Sequence, residues 1–169
     1  MFCDKMAIEE EAIIMSQSEN ELQLINKQLK ALLMNERDMI ANLANASALL
    51  YNNMSNLNWA GFYLLKGQNL LLGPFQGLPA CVHIPMGKGV CGSAARDKKT
   101  YLVADVHQFT GHIACDEASR SEIVLPIVVG ERLIGVLDLD SPKKNRFNMV
   151  DKGFLEGFVN ILIDSTDFI

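Results

Sequence analysis

Apolar residues recur at helical spacing through the first third of the chain and at strand spacing through the middle, and this change of period sets the expected architecture. Leu22, Ile25, Leu29, Leu32, Leu33, Met39, Ile40 and Leu43 follow a helical stripe, and Ser18-Glu19-Asn20-Glu21 has the form of a capping box that starts it. The pattern predicts helix from about residue 18 to about 51, as one long helix or two, with Asn52-Asn53 as the stop. Next, Trp59-Ala60-Gly61-Phe62-Tyr63-Leu64-Leu65 and Leu70-Leu71-Leu72 flank Lys66-Gly67-Gln68-Asn69, which predicts a hairpin. Val82-His83-Ile84 and Tyr101-Leu102-Val103 are further short strands, with a short helix over Gly89 to Asp97 between them. From Ala104 to Ser119 no apolar period appears, and the glycine, histidines and acidic residues there mark a functional loop. A second hairpin runs from Glu122 to Val129, turns at Gly130-Glu131-Arg132 and returns through Leu133 to Leu139. Pro126 has no N–H to donate, so it marks an edge or a bulge. A last helix carries Phe154, Leu155, Phe158, Ile161 and Leu162 on one face. Helices at both ends with hairpins between them predict an α+β domain on a mainly antiparallel sheet.

Length and composition narrow this picture. A chain of 169 residues with 49% apolar content can bury one core without disulfide staples. Residues 1–20 are set apart as an N-terminal extension, and 21–169 as one domain. The net charge of −5 argues against nucleic acid or an anionic membrane surface as partner. The start, MFCDKMAIEEEAIIM, lacks the basic region and unbroken apolar stretch of a signal peptide, and no apolar run is long enough to span a bilayer. The expectation is a cytoplasmic protein.

The cysteines carry the candidate chemistry. Cys3 stands near the N-terminus, and Cys81, Cys91 and Cys115 fall together in the middle, with no C-x-x-C and no metal-site spacing. No metal is expected from that spacing; thiol chemistry in a reducing compartment is. Gly87-Lys88-Gly89-Val90-Cys91-Gly92 spells a dinucleotide fingerprint by letter, but the strand before it is short and Asp105 comes too early for the ribose. A glycine turn opening a helix fits better, and a helix N-terminus would lower the Cys91 pKa. The alternative is a small buried cysteine at a tight turn. Cys115 lies in the polar run Gly111-His112-Ile113-Ala114-Cys115-Asp116, where a reactive thiol is expected, whereas Cys81 borders a strand and reads as packing. His107, His112 and Cys115 share a loop without matching a common zinc site, and no G-x-S-x-G nucleophile is present.

Asp138 and Asp140 alternate along a strand end and so share a face; Glu122, in the partner strand, can lie opposite them. Three crowded carboxylates would repel, raise at least one pKa and suit a cationic ligand group. A solvated hairpin end is the alternative. Trp59 and Tyr63, four residues apart in a strand, also share one face, as core or as ligand wall.

Taken together, Asn58-Trp59-Ala60-Gly61-Phe62-Tyr63, Gly73-Pro74-Phe75-Gln76-Gly77, the Gly87–Gly92 turn, Gly111–Asp116 and Ser121-Glu122-Ile123-Val124-Leu125-Pro126 resemble the free methionine-(R)-sulfoxide reductases, which are stand-alone GAF-domain enzymes. The resemblance runs from about residue 40 to about 164 with the motifs in order. It implies a GAF-like fold, with a central six-stranded, mainly antiparallel sheet flanked by N- and C-terminal helices, usually as a homodimer. It implies thiol-dependent reduction of free methionine-(R)-sulfoxide, with Cys115 as nucleophile, Cys81 as resolving thiol and Cys91 as a second resolver or relay. Glu122, Asp138 and Asp140 would hold the substrate ammonium and supply a proton, while Trp59 and Tyr63 would line the wall around the sulfoxide methyl. No bound cofactor is implied; thioredoxin, itself reduced at the expense of NADPH, would return the electrons. The competing expectation is a GAF sensor that binds a small molecule or reports redox state without chemistry.

Overall fold

Two tight hairpins organise the sheet. Gly67 and Gly130 open their two-residue turns with φ of 64° and 62°, a left-handed backbone that an L side chain resists and that matches the strand twist. The computed structural model describes residues 19–111 and 117–168. The first hairpin pairs β1 (Trp59–Lys66) with β2 (Asn69–Gly77), and the second pairs β5 (Ser121–Val129) with β6 (Arg132–Ser141). Short strands β3 (His83–Pro85) and β4 (Tyr101–Val103) close the two edges, giving the order β3-β2-β1-β6-β5-β4 with every pairing antiparallel. The antiparallel sheet expected from the pattern is therefore present, with the six strands that the family resemblance implied.

The central strands are covered on both sides, which explains their nearly continuous apolar runs. On one face Ala60, Phe62, Ile123, Leu125, Ile127, Leu137 and Leu139 pack against three helices. These are α1, helical over 19–32, α2 (Met39–Asn53) and α4 (Met149–Ser165). On the other face Trp59, Tyr63, Val124 and Val136 meet α3 (Gly89–Asp97). The helical stripe expected over the first third is two helices, not one. Residues 33–38 break it, with Asn35 at φ 68°, and Asp38 caps α2 by accepting from the Ala41 N–H at 2.8 Å. Leu22, Ile25, Leu29 and Leu33 of this region belong to the same core as the sheet. Ser18 and its expected cap lie outside the described residues.

Three local features follow from single residues. Pro126 pairs with Val136 on one side, while β4 ends its pairing at Val124, so the missing N–H faces an open edge next to a bulge at Ile127/Val128. Asn148 accepts from the Val150 and Asp151 N–H groups, and Asp151 accepts from the Asn148 N–H, a reciprocal cap that starts α4. Buried Asn42 donates to the Ser165 carbonyl and the Thr166 hydroxyl, tying α2 to the far end of α4. The described part of the expected loop after β4 contains a 3-10 turn, Val106–Gln108, capped by Asp105. Among the described residues no helix is long and apolar enough to cross a membrane.

Two glycines give opposite expectations. A Cβ on Gly61 would lie 2.7 Å from Trp59 Cη2 and 2.8 Å from Phe75 Cα, whereas one on Gly153, on the exposed side of α4, meets nothing within 4 Å. Gly61→Ala is expected to destabilise by about 1–3 kcal/mol through overpacking. Gly153→Ala is expected to stabilise by about 0.5–1 kcal/mol through helix propensity. Urea unfolding of both variants reads the two signs directly.

Candidate active site

Strand register builds the site. Across β1, β6 and β5, Trp59 sits opposite Asp140 and Asp140 opposite Glu122; the row two residues further on is Gly61, Asp138 and Val124. All six point to the α3 side of the sheet. Glu122 thus faces Asp140 directly and Asp138 diagonally, as the hairpin reading expected. The solvated alternative is excluded for two of the three, because Glu122 and Asp138 are each only 5% exposed. Asp140 is half-buried.

No ion pair with a lysine, arginine or histidine reaches Glu122 or Asp138 among the described residues. Burial, the Asp138 charge and the Asp140 charge hold the Glu122 carboxyl well above the usual carboxylate range. Burial also pushes Asp138 up to about 7, against the opposing hydrogen bonds from Cys91 and Glu122. The pair therefore retains a proton near neutral pH. Asp138 Oδ1 is buried and finds no hydrogen-bond partner among the described residues.

Cys91 reaches this pair from the first turn of α3. Gly87 and Gly89 take φ of 77° and 62° to turn the chain into the helix, and a Cβ on Gly92 would collide with the Pro85 carbonyl. Only glycine lets α3 seat this closely. Cys91 is buried, and its thiol donates to Glu122 Oε1 at 3.8 Å. Burial, then the charges of Asp138 and Glu122, push the thiol well above its ordinary pKa. This reverses the expected effect of the helix N-terminus: the dipole is outweighed by desolvation and two nearby acids.

An aromatic wall closes one side. Trp59 stacks on Tyr63 with centroids 5.7 Å apart and on Phe75 at 5.3 Å. Gly61, between the first two rings in β1 and opposite Phe75, has no side chain to interfere. The Tyr63 hydroxyl donates to the Cys81 carbonyl at 3.1 Å, which brings the segment before β3 over the stack. Burial and the surrounding acids raise the Tyr63 pKa, so the hydroxyl stays a donor. Cys81 is half-buried and disulfide-bonded, while Cys91 is a free thiol. Buried Trp59 Nε1–H has no acceptor among the described residues.

The residues expected at a site thus converge for the most part. Trp59, Tyr63, Cys81, Cys91, Glu122, Asp138 and Asp140 gather on or beside one sheet face. Cys115 and His112 lie outside the described residues. His107 stands apart at the surface, with Nε2 3.3 Å from Arg120 Nη1. Phe75 was not anticipated; its signal was Gly61, a gap between two aromatics that admits a third ring from the neighbouring strand.

Residues 41–162 match the GAF domain family. The free methionine-R-sulfoxide reductase of Escherichia coli (strain K12) is 53% identical over 135 residues, covering 80% of this chain and 82% of that protein. The corresponding enzyme of Saccharomyces cerevisiae is 44% identical over 137 residues, covering 76% of each. The Staphylococcus aureus reductase, solved in complex with its substrate, superposes with a TM-score of 0.82 at 54% identity, covering 85% of this chain and 94% of that one. The chain belongs to the free methionine-R-sulfoxide reductase family, built on a GAF domain.

In this member of the reductase family the buried acids make stability depend on pH. Glu122 and Asp138 have raised folded-state values, so the native protein holds protons that the unfolded chain has released above about pH 4.5. Their contribution is fully present below the unfolded values and declines as pH rises through 7. Unfolding free energy is expected to fall between pH 5.5 and pH 8 by roughly 1–3 kcal/mol through this pair, and Glu122→Gln should flatten that slope. Urea titrations of both proteins at the two pH values measure it; equal slopes would contradict the assignment.

Proposed function

We propose that the protein reduces free L-methionine-(R)-sulfoxide to methionine, with electrons supplied by thioredoxin. The observation that carries this reading is the pair of buried carboxylates, Glu122 and Asp138, held without a cationic partner among the described residues beside the cysteines. The α-ammonium of a free amino acid supplies both the charge and the donors that Asp138 Oδ1 lacks. A sulfoxide side chain then lies along the Trp59, Tyr63 and Phe75 wall, with its methyl against an aromatic face. The relatives named as free methionine-R-sulfoxide reductases, and the substrate complex among the solved structures, support the same substrate.

In the proposed reaction the Cys115 thiolate attacks the sulfoxide sulfur. The proton held by the Glu122–Asp138 pair goes to the sulfoxide oxygen as the sulfur–sulfur bond to Cys115 forms, and after a second protonation the sulfur–oxygen bond breaks and the oxygen leaves as water. Water then attacks Cys115 Sγ and breaks the sulfur–sulfur bond, which releases methionine and one proton and leaves Cys115 as a sulfenic acid. The Cys81 thiol displaces that hydroxyl as water, forming a disulfide. The disulfide-bonded state of Cys81 supports a resolving role for this residue. Thioredoxin reduces the disulfide by two thiol exchanges and regenerates both thiols. Cys91, buried and donating to Glu122, keeps that carboxyl in position and stays outside the exchange. A homodimer, as in the family pattern, offers a cover for Leu24 and Leu32, which α1 leaves 54% and 47% exposed.

Turnover of the free R epimer, coupled to thioredoxin, its reductase and NADPH, is the direct test. The wild type is expected to reduce the R and not the S epimer, and Cys115→Ser to abolish the activity. Glu122→Gln is expected to lower kcat/KM by about 10²- to 10⁴-fold, through lost proton donation and ammonium binding. A wild-type protein with intact thiols and no turnover sinks the reading. Full turnover by Cys115→Ser removes Cys115 as nucleophile.

A further inference from the structure

Cys91, Glu122 and Asp138 each offer a ligand atom within 4.8 Å of the other two, and all three residues are nine-tenths or more buried. Cys91 Sγ and Glu122 Oε1 are 3.8 Å apart. Around a tetrahedral zinc ion with Zn–S about 2.3 Å and Zn–O about 2.0 Å, the sulfur–oxygen edge is about 3.5 Å and the oxygen–oxygen edge about 3.3 Å. The Cys91–Glu122 edge is already near that size, and drawing the trio together needs movements of about an ångström at most. The ligands stand on α3, β5 and β6, so rigid elements hold them. A second observation is independent of the cluster's composition: Asp138 Oδ1 is buried with no donor among the described residues, an acceptor that only a cation or a donor can answer.

We propose that the reduced protein binds one thiophilic divalent cation, of the zinc class, through Cys91, Glu122 and Asp138, with water in the fourth position. One thiolate and two carboxylates favour zinc or cobalt over magnesium and calcium, which do not select sulfur. The ion stands where the substrate ammonium is placed above, so it excludes substrate and silences the enzyme until it is removed. That competition rests on the proposed function; metal binding itself does not. Any oxidation of Cys91 takes away the sulfur ligand, so binding also reports the redox state of this thiol. The three ligands lie far apart in the chain, which is why no metal-site spacing announces them.

Cobalt(II) titration of the reduced protein tests this without reference to activity. The expected result is one ion per chain, a sulfur-to-cobalt charge-transfer band and the visible bands of a four-coordinate ion, both erased by stoichiometric zinc. Cys91→Ser is expected to lose the charge-transfer band, while Cys81→Ser and Cys115→Ser retain it. Asp138→Asn is expected to weaken binding by at least about tenfold, and its circular dichroism reports whether the fold is intact. No saturable binding, or a band that survives in Cys91→Ser and disappears in Cys81→Ser or Cys115→Ser, overturns the site. If cobalt binds as expected and free methionine sulfoxide does not displace it, the metal site stands and the shared ammonium position fails.

Discussion

Two carboxylates held out of water on a sheet face are unstable unless something answers them, and the site is arranged around that constraint. Glu122 and Asp138 sit on neighbouring strands under α3, and burial, with the Asp138 charge beside Glu122, keeps a proton between them. A cation relieves both the repulsion and the orphaned Asp138 oxygen, and the proton it displaces becomes available at the moment a ligand arrives. In the proposed reaction, recognition and acid chemistry are two uses of one buried pair. The same proposal predicts selectivity: a methionine sulfoxide inside a polypeptide brings an amide instead of an ammonium, and would leave both acids unanswered.

The remaining parts serve to keep that pair dry and fixed. β1, β5 and β6 are backed by the core shared with α1, α2 and α4, so the strands that carry Trp59, Glu122 and Asp138 have little freedom to yield. Gly92 lets α3 press onto the Pro85 carbonyl, and Gly61 lets three rings stack without a side chain between them. These glycines act by close approach, not by flexibility. Through the Tyr63 hydroxyl the aromatic wall also holds the backbone of Cys81.

Much of the fold was legible along the chain because local rules and tertiary packing agree there. The two hairpins, the short helix over Gly89 to Asp97 and the edge position of Pro126 all follow from period, glycine turns and a missing N–H. The helical stripe left one helix or two open, since apolar spacing continues through residues 33–38, where Asn35 and Asp38 impose the break. At the site, strand alternation placed Trp59 with Tyr63 and Glu122 opposite Asp140. It could not show that Glu122 and Asp138 are buried, because that depends on α3 folding over them from a distant part of the chain. The same distance reversed the argument about Cys91, where a local dipole gave way to burial and then to acids contributed by two other elements.

The central claim is that the buried carboxylates recognise an α-ammonium. The most direct measurement is kcat/KM of the wild type for free L-methionine-(R)-sulfoxide against its N-acetyl derivative, which keeps the sulfoxide and removes only the charged amine. A preference for the free amino acid of at least about a hundredfold is expected, the scale set by leaving buried polar groups unpaired. Equal turnover of the two compounds would contradict it, and would mean that Glu122 and Asp138 serve the reaction without reading the amine.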